Sequence, residues 1–170
     1  MTTDIREPLD DLFDPPEEAW TPLSPRYASL KRLMVVLTYG IETIIVVTLL
    51  AIFTKLWIAG IAATVMLALL LWRFSRQRRL AASWGYAERD TELFIRHGLW
   101  FRSLTVVPYG RMQVIEVNSG PIDRKFGLAS VELVTASAAT NATIPGLDAD
   151  AAAALRDRLS ARGESQAAGL

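Results

Sequence analysis

Few side chains in this sequence could bind or transform anything, and they fall in three places. The first is the stretch PYGRMQVIEV, Pro108 to Val117, where Arg111 and Gln113 lie two apart. The stretch reads as a β-strand, in which residues two apart share a face. Arg111 together with Arg124 could hold an anionic ligand. A guanidinium also carries five donors in a fixed fork, which suits bridging two loops. Pro108-Tyr109-Gly110 is a turn, so Arg111 could reach back to its carbonyls or forward to the Arg124–Leu128 corner. We read Arg111, Gln113 and Arg124 first as a structural brace and second as a ligand contact. The second place is Glu42, a carboxyl group inside an apolar run. The third is the basic cluster Arg73, Arg76, Arg78 and Arg79. Near a charged bilayer such residues bind anionic headgroups at about 1 kcal/mol each, and they also fix topology and snorkel to the interface.

Catalytic constellations are not apparent. The chain has no cysteine, so it has no disulfide, no thiolate nucleophile and no cysteine-based metal site. His97 is the one histidine, and the acidic residues of the second half are scattered. Nothing resembles a nucleophile with its base, a phosphate loop or a metal site. No enzymatic activity, cofactor or metal is therefore expected. The 18 basic and 18 acidic side chains of the 170 residues balance. A general nucleic-acid binder needs a basic excess, so no nucleic-acid partner is expected.

The elements that position these residues begin with two apolar runs, Leu33 to Phe53 and Leu56 to Trp72. At 1.5 Å per residue, helices of these lengths span or nearly span a hydrocarbon core of about 30 Å. Both are apolar on all faces, unlike helices of a soluble core. Only Thr54 and Lys55 separate them, so they form a tight antiparallel hairpin. Arg26, Lys31 and Arg32 precede the first helix and the arginine cluster follows the second, while the turn offers only Lys55. The positive-inside rule places both termini in the cytoplasm of a two-pass plasma-membrane protein, with Trp57 and Trp72 as interfacial aromatics.

Glu42 then lies near mid-membrane, opposite Leu67 and about one turn from Thr64. An intramembrane carboxyl is costly and faces protein or water. Either it is neutralised and hydrogen-bonded to a threonine or a carbonyl, or it meets another subunit. Ala59, Gly60, Ala63 and Thr64 add a small-residue surface for close helix packing, assigned first to the hairpin itself. Glu42, Gly60 and Thr64 are the candidate partner contacts within the membrane.

Residues 1–25 are acidic and proline-rich, which is the composition of a disordered tail, with Leu12, Phe13 and Trp20 as possible docking anchors. Residues 26–80 form the hairpin with its basic flanks. Residues 81–163 form a domain of short strands that alternate in polarity and end at Gly, Pro, Asp or Asn. A hairpin turn is expected at His97-Gly98. The segment DADAAAALRDRLSARG closes the domain as an amphipathic helix that packs through Ala151, Ala154, Leu155 and Leu159 and stops near Gly163. Residues 164–170 read as a frayed tail.

The stretch GLWFRSLTVVPYGRMQVIEVNSGPIDRKFGLASVELVTASA resembles the bacterial pleckstrin-homology-like family, the YdbS-like membrane proteins. The resemblance is carried by Gly98 and Arg102, by Val107, Pro108, Arg111, Gln113 and Val114, and by Arg124, Phe126, Gly127 and Leu128. Thr135 and Ala136, the segment Ile144 to Leu147 and the two preceding helices complete it. It implies a mainly-β PH-like domain, two antiparallel sheets capped by a C-terminal helix, behind a transmembrane hairpin. It implies no enzymatic activity, and we expect a non-enzymatic interaction module that forms a homo- or hetero-oligomer with integral membrane protein partners, through the hairpin, an exposed sheet edge of the PH-like domain, or both. Such a module could be an accessory subunit of a larger complex, or serve in cell-envelope stress and peptide resistance. The alternative is a sensor of anionic lipids. In phosphoinositide-binding PH domains the first strand turn is basic; here AERDTEL sets Glu88, Asp90 and Glu92 against Arg89 and repels phosphate.

Overall fold

Ser24 and Pro25 set where the first helix begins. In the computed structural model, which describes residues 20–135 and 141–168, helix α1 runs over Pro25–Phe53. Ser24 is its N-cap, accepting from the Arg26 backbone N–H, and Pro25 takes a first-turn position where its missing N–H costs nothing. Thr54 and Lys55 break the chain, and α2 runs over Leu56–Ala82. Both helices outrun their apolar segments. Arginine, glutamine, leucine and alanine are all strong helix formers, so the basic stretch after Trp72 continues α2 without a break.

The helices pack antiparallel. The Arg32 guanidinium lies over Phe74 and that of Arg73 over Tyr39. Ala59 is buried at the contact, while Ile44, Ile52, Phe53, Leu56 and Ile61 remain exposed on the outside. A soluble domain would bury such side chains; these two helices are long and apolar enough to cross a membrane.

The domain has two antiparallel sheets. Strands β1 (Thr21–Pro22), β2 (Gly85–Glu88), β3 (Glu92–His97) and β4 (Ser103–Pro108) form the first in that order. A 3-10 turn at Tyr109–Arg111 leads to β5 (Met112–Asn118). A short helix α3 (Pro121–Phe126) connects it to β6 (Leu128–Thr135), followed by β7 (Ala142–Asp148). The second sheet is β5-β6-β7. Helix α4 (Ala149–Ala168) closes the domain, giving the PH-like arrangement that the resemblance implies.

Strict alternation puts Val131, Leu133 and Thr135 of β6 on the buried face. Ala152, Leu155 and Leu159, three and four apart on α4, join the same core. Ala151 and Ala154, expected to pack, are exposed: the buried stripe begins at Ala152. The helix also continues past Gly163, and the Gln166 side-chain oxygen accepts from the Gly110 N–H, so the expected frayed tail is partly an element of the fold.

The other boundary moves as well. Leu23, Tyr27 and Leu30 belong to the core of the domain, so β1 and the first turns of α1 are part of it. Ser24 N–H donates to Gly146 O at 3.1 Å and Ser24 Oγ donates to Asp148 at 3.0 Å. Trp20 lies under the Arg96 guanidinium, 4.3 Å from carbon to ring centre, and against Gly85. It docks on its own domain. Leu12 and Phe13 lie outside the described residues, as does Ala136. The hairpin is therefore tied to the domain at both of its ends.

Candidate interface with membrane and partner

Along α1 the half-buried positions Tyr39, Thr43, Val46 and Leu50 recur every three or four residues, which is the periodicity of a helix face against its neighbour. Glu42 is out of phase with them. It stands exposed on the outer surface, without a hydrogen bond or ion pair among the described residues. The hydroxyls that could have satisfied it are used on their own helices: Thr43 donates to Tyr39 O at 2.6 Å and Thr64 to Gly60 O at 3.0 Å. Gly60 and Thr64 are exposed, and a Cβ added at Gly60 would meet nothing within 4 Å. Of the small-residue surface, then, Ala59 serves the hairpin, and Gly60 and Thr64 face outward.

The arginine cluster sits where α2 leaves its apolar run. Arg76 lies over Trp72, 4.8 Å from the ring centre, and 5.9 Å from that of Trp100. Arg73 lies 5.3 Å from that of Tyr39. Such stacking holds each cation against an aromatic face. Arg78 and Arg79 are exposed, and their side chains form no ion pair among the described residues.

The brace expected at Arg111 is supplied by other residues. Arg111 lies in the 3-10 turn rather than in the strand, and Gln113 sits at a bulge at the start of β5. Both are exposed, and Arg124 is exposed on α3. The Arg111 and Arg124 side chains make no hydrogen bond or ion pair among the described residues. Gln113 instead lines a shallow hollow with Arg156 and Glu164 of α4.

The work of holding the turn falls to α4. Tyr109 is fully buried, and its hydroxyl donates to Arg89 O at 2.9 Å. Arg162 Nη1 donates to that same hydroxyl at 2.9 Å and to Arg89 O. Burial raises the Tyr109 pKa above the ordinary tyrosine value, and the Arg162 hydrogen bond opposes the rise. One helical turn earlier, Arg158 forms a two-pronged pair with Glu88, its closest contact 2.7 Å. That hydrogen bond raises the Arg158 pKa. Two arginines four apart beside the apolar stripe, opposite the acidic AERDTE turn, are the sequence signal that would have revealed this latch. Arg162→Met should cost about 2 kcal/mol, the scale of a lost charged hydrogen bond in a buried setting. Arg111→Ala should stay within about 0.5 kcal/mol. Thermal melts of the detergent-solubilised chain compare the two directly.

A hairpin of apolar helices feeding two sheets and a capping helix can be compared with known proteins. Residues 34–163 match the sequence model of the bacterial PH domain family. The chain belongs to that family. This bacterial PH protein is 31% identical over 105 residues to the UPF0699 transmembrane protein YdbS of Bacillus subtilis (strain 168), across 61% of its own length. The match spans 65% of that relative, slightly under two thirds. No solved structure matches significantly. With a transmembrane relative and two exposed apolar helices, the bacterial PH protein is a membrane protein. The family match includes the hairpin but begins after Leu23, Tyr27 and Leu30, although these residues complete the core of the bacterial PH domain.

Proposed function

We propose that this chain is a non-enzymatic membrane interaction module, which assembles through its hairpin with an integral membrane protein, either a second copy or a different chain. Glu42 carries the reading. A carboxyl group at mid-membrane depth, on the outer face and without a partner in its own hairpin, is costly against lipid and cheap against a polar group of another helix. Gly60 and Thr64, also outward, offer close approach for a second helix. The excess of arginine and lysine at the domain end of the hairpin favours a cytoplasmic domain with both termini inside. Because both helices run into the domain, a helix docked against the hairpin would be read by the domain without an intervening flexible linker. An accessory subunit of a larger membrane complex fits this construction.

The test is a mild-detergent affinity purification from native membranes, comparing the parent protein with Glu42→Leu and Glu42→Gln. A stoichiometric membrane partner, or a tagged–untagged pair of this chain, should appear with the parent, be lost with Glu42→Leu and be largely kept with Glu42→Gln. No partner in the parent sample would sink the assembly reading.

A further inference from the structure

The β3–β4 connection carries two highly exposed aromatic side chains: Trp100 is 82% and Phe101 93% accessible. They lie at the tip of a loop between His97 and Ser103. Gly98 makes the loop possible with a φ of +105°. At the base of the loop, Gly98 N–H donates to Ser83 Oγ at 3.3 Å, at the domain end of α2. At its tip, Trp100 approaches Arg76 and shares a hollow with Trp72. The loop thus runs back along α2 from Ser83 towards Trp72, which is towards the bilayer.

Depth follows from helix geometry. Arg76 is one turn beyond Trp72, about 6 Å at 1.5 Å per residue. The polar layer on each side of a bilayer is about 5–7 Å thick. A tip held against Trp72 and Arg76 therefore lies within that layer. The hollow between tip and helix is lined by Trp72, Arg76, Leu80, Leu99, Trp100 and Phe101, and no acidic side chain lines it among the described residues. Arg79 borders the adjoining hollow and Arg102 follows the tip. Aromatic rings beside arginines at this level match the chemistry of a phospholipid surface.

We infer that Leu99, Trp100 and Phe101 form a wedge that inserts into the domain-side leaflet beside α2, with Arg76 and Arg79 holding anionic headgroups. The wedge is a third attachment of the domain to the membrane plane, and it does not depend on the assembly assigned to Glu42.

The absence of cysteine allows clean single-site labelling. The full chain carrying Phe101→Cys, labelled with the environment-sensitive dye NBD, is reconstituted in phosphatidylcholine vesicles with and without phosphatidylglycerol. The comparison label is Asp90→Cys, exposed in the β2–β3 turn at the opposite end of β3. Lipid-borne doxyl quencher should quench position 101 several-fold more strongly than position 90, and phosphatidylglycerol should increase that difference. Arg76→Gln with Arg79→Gln should remove the increase. Equal quenching at the two positions would overturn the wedge. A label at 101 shielded from aqueous iodide yet unreached by doxyl would overturn it too, in favour of a protein cover. No effect of phosphatidylglycerol on the parent would overturn the anionic part. Phe101 packs on almost nothing, so its replacement leaves the fold intact.

Discussion

Gly146→Ala is expected to destabilise the protein by about 3 kcal/mol, combining roughly 1–2 for the left-handed backbone with about 1–3 for overpacking. Gly146 sits in β7 with φ +66°, and an added Cβ would lie 2.2 Å from the Tyr27 Cδ2 and 2.3 Å from its Cγ. The ring cannot simply swing away, because Tyr27 Cβ itself would be only 2.7 Å distant and the side chain is buried in the core. Relief requires α1 to lift off β7, which breaks the Ser24 N–H to Gly146 O hydrogen bond and strains that of Ser24 to Asp148. The melting temperature should fall, and trypsin should cut faster at Arg26 and Lys31. In a Tyr27→Gly background, which removes the Cβ as well as the ring, that collision is gone, so the same substitution should cost only the backbone term, about 1–2 kcal/mol. An equal cost in both backgrounds would mean that the close approach of α1 to β7 is not what Gly146 permits.

Gly98→Ala should act as strongly but locally. Its Cβ would fall 1.9 Å from the Phe101 carbonyl oxygen and 3.0 Å from the carbonyl carbon. The obstacle is backbone, not the end of a flexible side chain, so the loop must open at a cost of about 2–4 kcal/mol with the strain at φ +105° included. Amides from Leu99 to Ser103 should exchange with solvent much faster, while those of the buried Leu133 stay protected. Unchanged exchange in the loop would contradict the geometry described for it. Because the loop lies against α2 rather than inside the core, the faster exchange should be confined to it.

The hairpin was legible because its residues are apolar on every face, a pattern that lipid alone rewards. The PH-like sheets were legible because β6 and its neighbours alternate cleanly and because the Gly98–Ala136 pattern is specific. The start of α1 was hidden: Leu23, Tyr27 and Leu30 have helical spacing, but they stand beside an acidic, proline-rich stretch and just before a membrane run. Composition over a window assigned them to a tail and a flank, whereas the Ser24–Pro25 cap and start were the signal. Arg111 stands in a specific motif, yet its side chain holds nothing among the described residues. The residue that braces the same turn, Arg162, is 53 positions from Tyr109, and sequence spacing does not reveal such a contact. Aromatic residues favour strands, yet Trp100 and Phe101 occupy a loop that is set by Gly98. Glu42 is legible from its apolar surroundings; its direction, outward rather than towards α2, is set by the helix contact.

Whether that outward face meets protein decides between a hairpin that assembles and one that only anchors. The most direct measurement is photocrosslinking in native membranes from Thr38, Ile45 and Leu49, each replaced in turn by a photoreactive residue. All three are exposed, and they flank Glu42 at helical spacing. A discrete protein adduct from this face, lost when Glu42→Leu is added, is the predicted result. Lipid adducts alone at all three positions would contradict it, and would leave a hairpin that anchors the domain without assembling anything.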